Sequence, residues 1–236
     1  MRELILKGKS SKDFDLIIHK WSRPPIAEIR DVYIEMPGTD GMIHNPEGLG
    51  MLPISIDFAK FVDSAVDWTT RARNIVSWLY SRGEIEIRFD DEPDMYYIGK
   101  VVNVPAVDFL SVATSFTVEL NCQPLKRGHE HTETMLNDEI LEYDGSYETE
   151  PIIELTLNEG ASKLELSINN MNFVYDAPVK AGDVITLDCK ELELFLNDEM
   201  KLLELSGHFP VLQVGDNLIT SNVSSVIKVK WQDMYL

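Results

Sequence analysis

The stretch "IIELTLNEGASKLELSI", residues 152–168, decides the fold of its half of the chain. Apolar side chains fall on every second position in "IIELTL" and again in "KLELSI", the period of a half-buried strand. Asn158-Glu159-Gly160 between them is a turn signal. Toward the C-terminus the pattern repeats: "FVYD", "VITLDC", "LELFL", "LITS" and "VIKVKW" are short alternating runs parted by Asn-Asn, Asn-Asp-Glu and Gly-Asp-Asn. Strands this closely spaced, with a turn at nearly every gap, predict an antiparallel β-sandwich or jelly roll without a helix.

Working toward the N-terminus, residues 126–151, "KRGHEHTETMLNDEILEYDGSYETEP", are polar and rich in turn formers, which predicts a linker between a domain at 1–132 and one at 133–236. The first domain has a different texture. In "LPISIDF", Leu52, Ile54, Ile56 and Phe58 alternate with polar residues and predict a strand, although a helix reaching back to Phe58 also fits the spacing of Phe58, Phe61, Ala65 and Trp68. "DSAVDWTTRARNIVSWLYSRG" then places Trp68, Ala72, Ile75, Val76 and Leu79 on one face of a long helix, with Ser64 or Asp67 as its cap and Gly83 as its stop. "EIEIRF" and "MYYIGKVVNV" flank the acidic turn Asp90-Asp91-Glu92-Pro93-Asp94 as a hairpin. The whole is expected to be mainly β: an α+β N-terminal domain with one long helix, then the sandwich.

Charge narrows the partners. Residues 1–132 carry 15 Lys and Arg against 20 Asp and Glu, net −5; residues 133–236 carry 6 against 20, net −14, together the formal −19 of the chain. The second part has no arginine. Phosphate contacts rest on Arg and Lys, so nucleic acid and anionic membrane surfaces are disfavoured partners. Cys122 and Cys189 lie 67 positions apart without CxxC spacing, which predicts two buried free thiols, not a zinc site or a disulfide framework. The opening "MRELILKGKSSKDF" turns polar too soon for a signal peptide, and no apolar run reaches the roughly 18 residues of a membrane span.

Chemistry-bearing patterns are sparse. The run Asp90, Asp91, Glu92, Asp94 has carboxylates that suit a hard cation but not the EF-hand order, and a solvated turn is the simpler expectation. "HEHTE", 129–133, sets His129 and His131 two apart, unlike the i, i+4 pair of HExxH. No nucleophile elbow, P-loop or dinucleotide fingerprint occurs, so no catalytic residue, cofactor or metal is expected.

One turn stands apart. "DVYIEMPGTDGMI", residues 31–43, reads as strand, tight reversal, strand. Pro37 presets φ, Gly38 suits the positive φ of a type II turn, and Asp40-Gly41 offers a second bend.

The order "IRDVYIEMPGTDG", an alternating strand, then "NIVSWLYSRGEIEIRFDDEPDMYYIGKVVNV" resembles the N-terminal domain of siphophage distal tail proteins: a P-G-x-D-G turn, a helix ending in W-L and a D-E-P-D-x-Y-Y hairpin. "VITLDCKELELFLND" and "SGHFPVLQVGDNLITSN" resemble the family's C-terminal G-x-F-P-x-L-x-x-G-x-N-x-I ending. The resemblance covers most of 1–125 and 150–236. It implies a non-enzymatic hub at the phage tail tip, a ring of usually six copies between the tail tube and the tail-associated fibre or lysin protein, with receptor-binding proteins around it in some phages. It also implies a galectin-like C-terminal domain, for which an alternative role is saccharide binding in adsorption. Within that frame Pro37, Gly38, Asp40 and Gly41 are candidates for a projecting turn at the ring interface.

Overall fold

The computed structural model describes residues 2–38, 40–61, 65–103, 113–201 and 204–236, and the protein is mainly β. The chain divides into two compact units, Met1–Arg127 with Leu236, and Gly128–Tyr235.

The first unit runs β1 (Leu4–Leu6), β2 (Lys9–Ser10), a 3-10 turn (Ser11–Phe14), β3 (Ile17–Ser22), β4 (Ile29–Glu35), β5 (Met42–Leu49), β6 (Leu52–Phe61), α1 (Ala65–Leu79), β7 (Ile85–Phe89), β8 (Tyr97–Asn103) and β9 (Ala113–Cys122). Seven of these strands make one sheet in the order β2-β1-β7-β8-β9-β6-β3, while β4 and β5 form a two-stranded sheet of their own. The alternation in β6 decides between its two parses. Leu52, Ile54, Ile56 and Phe58 are all buried, and the strand runs on to Phe61, so no helix reaches back to Phe58.

Helix α1 buries Ile75, Trp78 and Leu79, whereas Val76, expected on that face, is 50% exposed. At 3.6 residues per turn Trp78 and Val76 flank Ile75 on opposite sides, and the larger side chain takes the core. The Trp78 indole donates to the carbonyls of Leu6 and Lys9 at 3.2 Å each and stacks on Phe14 at 4.9 Å. The helix ends at Leu79, before Gly83, and Lys7 Nζ donates to the carbonyls of Ser77 and Tyr80 at that end. A cation there satisfies orphan carbonyls and the negative end of the helix dipole. The expected cap side chains, Ser64 and Asp67, and that of Trp68 lie outside the described residues.

The second unit holds β10 (Lys126–Leu136, which begins two residues before the division), β11 (Glu139–Tyr143), β12 (Ile152–Leu157), β13 (Leu164–Ile168), β14 (Met171–Tyr175), β15 (Val184–Asp188), β16 (Glu193–Leu196), β17 (Glu199–Met200), β18 (Leu205–Gly207), β19 (Gly215–Ser221) and β20 (Ser225–Tyr235). A six-stranded sheet, β10-β20-β12-β15-β16-β17, and a five-stranded one, β11-β19-β13-β14-β18, share one core of inward residues such as Ile153, Leu155, Leu166, Phe173, Leu187 and Ile227. No helix occurs among the described residues of this unit.

Most of the expected linker is therefore strand. β10 lies at the edge of its sheet, with only Gly128 and Met135 buried, so its polar composition belongs to an outward-facing edge strand. The G-x-F-P ending is likewise structural. Gly207 holds φ 90° with the Asn172 carbonyl 2.2 Å from where a Cβ would stand, and Phe209, half-buried like Phe195, packs on buried Phe173 at 5.2 Å. Asn217, fully buried, accepts from Gln213 N–H at 2.8 Å and donates to the carbonyls of Gln213 and Gly215 at 2.8 and 2.9 Å, so its amide is satisfied by local backbone.

Candidate functional site

The hairpin β4–β5 is the part of the first unit that the core does not absorb. Its base is anchored: Ala27 is buried, Leu49 packs against the core, and Gly50 N–H donates to the Glu28 carbonyl at 2.7 Å. Beyond the base, among the described residues only Asp31 is even half-buried. The register pairs Ile34 with Ile43, Val32 with Asn45, Tyr33 with His44 and Glu35 with Met42. Cross-strand partners share a face, so Val32, Ile34 and Ile43 crowd one side, and Tyr33, Met42 and His44 the other. Ile34 and Ile43 are 49% and 50% exposed and Tyr33 is 60%. Seven residues of β4 at ~3.3 Å each make an arm on the order of 20 Å long.

The candidate turn caps this arm. Pro37 precedes Gly38 at φ 86°, the value a type II second corner requires, and Gly41 follows at φ 91°. No atom lies within 4 Å of a Cβ built at either glycine, so both are needed for backbone angle and not for space. Asp40 is exposed, and Thr39 lies outside the described residues. On the arm His44 Nε2 meets the Asp31 carboxylate at 3.0 Å and the imidazole stacks on Tyr33 at 5.1 Å, which stiffens one face. Glu35, Asp40 and Glu47 have no ion-pair partner among the described residues.

The other candidate positions are absorbed by the fold. In the acidic turn, Asp91 and Glu92 pair with Arg23, whose guanidinium lies over Trp21 and Phe89 at 4.8 and 4.5 Å, and Lys126 reaches Glu92 at 2.8 Å. His131, on β10, meets the nearly buried Asp233 at 2.7 Å and stacks on Trp231. No group of three or more His, Cys, Asp or Glu suited to a metal ion occurs among the described residues. Both cysteines are buried and free, and burial pushes their thiols up to about 12. No helix among the described residues is long and apolar enough to cross a membrane. In the second unit every aromatic side chain is buried or half-buried.

Two families match consecutive parts of the chain: the phage tail protein RIFT-related domain over residues 12–122, and the siphovirus-type tail component, C-terminal domain, over 144–235. The chain belongs to the siphophage distal tail proteins. As a distal tail protein it is a structural component of a phage tail and part of the virion. Its fold is similar to the crystal structure of phage SPP1 Dit (gp 19.1), described as a paradigm of hub adsorption apparatus in Gram-positive infecting phages: TM-score 0.81, 16% identity, 100% of each chain covered. A structure of the phage P2 baseplate in its activated conformation with Ca covers 98% of each chain at 9% identity and a TM-score of 0.44, too low to support an argument. Among curated proteins no sequence matches this distal tail protein significantly.

Proposed function

We propose that this chain is the ring-forming hub subunit of the tail tip. Six copies close head to tail, the first unit building the ring and the second facing outward. The ring joins the tail tube to the tail fibre or tail-associated lysin, and receptor-binding proteins attach at its periphery for host adsorption. One observation carries this reading: an arm, β4–β5, that forms a sheet of its own with exposed apolar side chains on both faces. Adjacent exposed apolar residues on a stiff hairpin mark a surface completed by another chain. The turn Pro37, Gly38, Asp40 and Gly41 holds the arm in its bound shape before binding, which lowers the ordering cost on association.

Native mass spectrometry of the purified chain tests this. A six-fold species is expected, and Gly38→Val or Gly41→Val, which force a β-branched residue to positive φ, are expected to deplete it. A parent chain that stays monomeric at every concentration would refute the ring.

A further inference from the structure

A ring of identical chains needs two different patches per copy, one donating and one receiving. The arm supplies the first. We propose that the receiving patch is the outward face of α1 on the neighbouring copy, centred on Arg73, Val76 and Tyr80; this rests on the ring proposed above.

Arg73, Val76 and Tyr80 recur at the i, i+3, i+7 spacing of one helical face. Val76 and Tyr80 are 50% and 66% exposed, large apolar groups on the side that a helix against a core ordinarily leaves polar. Residues 71–82 contain Arg71, Arg73 and Arg82 and no Asp or Glu; Arg71 pairs with Asp15 at 3.0 Å, which leaves Arg73 and Arg82 to frame the strip. Arg73 and Arg82 are exposed and form no ion pair among the described residues. The arm carries the complement. Between residues 28 and 47 stand Glu28, Asp31, Glu35, Asp40 and Glu47 against the single basic Arg30. Of these, Asp31 and Glu35 share the arm face of Tyr33 and Met42, which are 60% and 56% exposed, so an apolar pair edged by carboxylates fits an apolar strip edged by guanidinium groups, the pairing that both buries area and fixes orientation. The same charge excludes the second unit of a neighbour as the receiver, because residues 133–236 are net −14 and lack arginine. Opposed like charges there would repel the arm.

The test places one cysteine on each patch of the same chain, Met42→Cys with Val76→Cys, and oxidises the purified protein. A disulfide forms only between Cα atoms within about 7 Å, and the native thiols are buried, so a ladder of covalent multimers on a non-reducing gel reports this contact alone. The expected result is that ladder from the double variant and none from either single one. In parallel, Glu35→Arg and Arg73→Glu are each expected to weaken assembly at least tenfold, and their combination to recover most of the loss. A parent chain that forms the ring, with no ladder and no recovery, overturns the inference and leaves the ring standing. Trapping of Met42→Cys by a cysteine placed in residues 128–235 overturns it as well. A parent chain that never assembles removes both.

Discussion

The hairpins β4–β5 and β13–β14 are built from the same kind of sequence and meet opposite fates. In β13–β14, Leu164, Leu166, Ile168, Phe173 and Tyr175 alternate inward and are buried because a second sheet lies over them. In β4–β5, Val32, Ile34 and Ile43 share a face just as regularly, yet among the described residues no other sheet or helix covers them. Alternation specifies which side chains share a face; only long-range topology decides whether anything covers that face. An apolar face left open on a stiff, anchored hairpin is unfinished folding, and in a distal tail protein a second copy can finish it.

Removing a covered apolar group should cost far more than removing an open one. Trp78→Ala deletes a buried indole with two hydrogen bonds and a ring stack, and is expected to lower stability by about 3–5 kcal/mol in urea titration. Ile34→Ala in the unassembled chain should change it by no more than about 0.5 kcal/mol. Glycines sharpen the same contrast. Gly99→Ala would set a Cβ 2.7 Å from both the Asn121 carbonyl and Cys122 Sγ, an overpacking expected to cost about 1–3 kcal/mol. Gly38→Ala meets nothing and carries only the positive-φ penalty, about 1–2 kcal/mol, measured in the same titration.

Much of this was legible from residues alone. Strict alternation in "LPISIDF", the turn glycines and the spacing of short strands after residue 151 reflect local backbone preference, and the structure follows them. Over 126–136 the chain is not the expected linker but β10, an edge strand whose outward residues are polar, so its composition mimics a connector. Helical spacing alone turns Val76 inward, since it does not show that Trp78, on the other side of Ile75, has carbonyls of β1 and β2 waiting for its indole. The openness of β4–β5 was invisible for the same reason: exposure is set by what the rest of the chain does not place there. The turn at its tip was still found, since proline and glycine act locally.

Smaller effects probe the covered side. Cys122 and Cys189, with thiols pushed up to about 12 by burial, should resist a disulfide reagent at pH 8 until the chain is unfolded. Labelling of the native protein at the rate of a free thiol would contradict that burial. The smallest effect is at Asp183, whose carboxylate is held below its ordinary value by the Asn197 side chain and by the Lys180 N–H. A depressed folded pKa stabilises above the ordinary carboxylate value and loses that contribution as pH falls through the folded one. Asp183→Asn should therefore flatten the acid limb of a stability-versus-pH curve slightly and leave the alkaline limb unchanged.

The central claim is that the apolar residues of β4–β5 serve a neighbour and not their own chain. Changing Val32, Ile34 and Ile43 together to serine, then recording the thermal melt of the isolated chain beside its native mass, tests it most directly. The account predicts a melt of the isolated chain like that of the parent and a mass spectrum without the six-fold species. Assembly at the parent's affinity, or a chain that unfolds well below the parent, would contradict it.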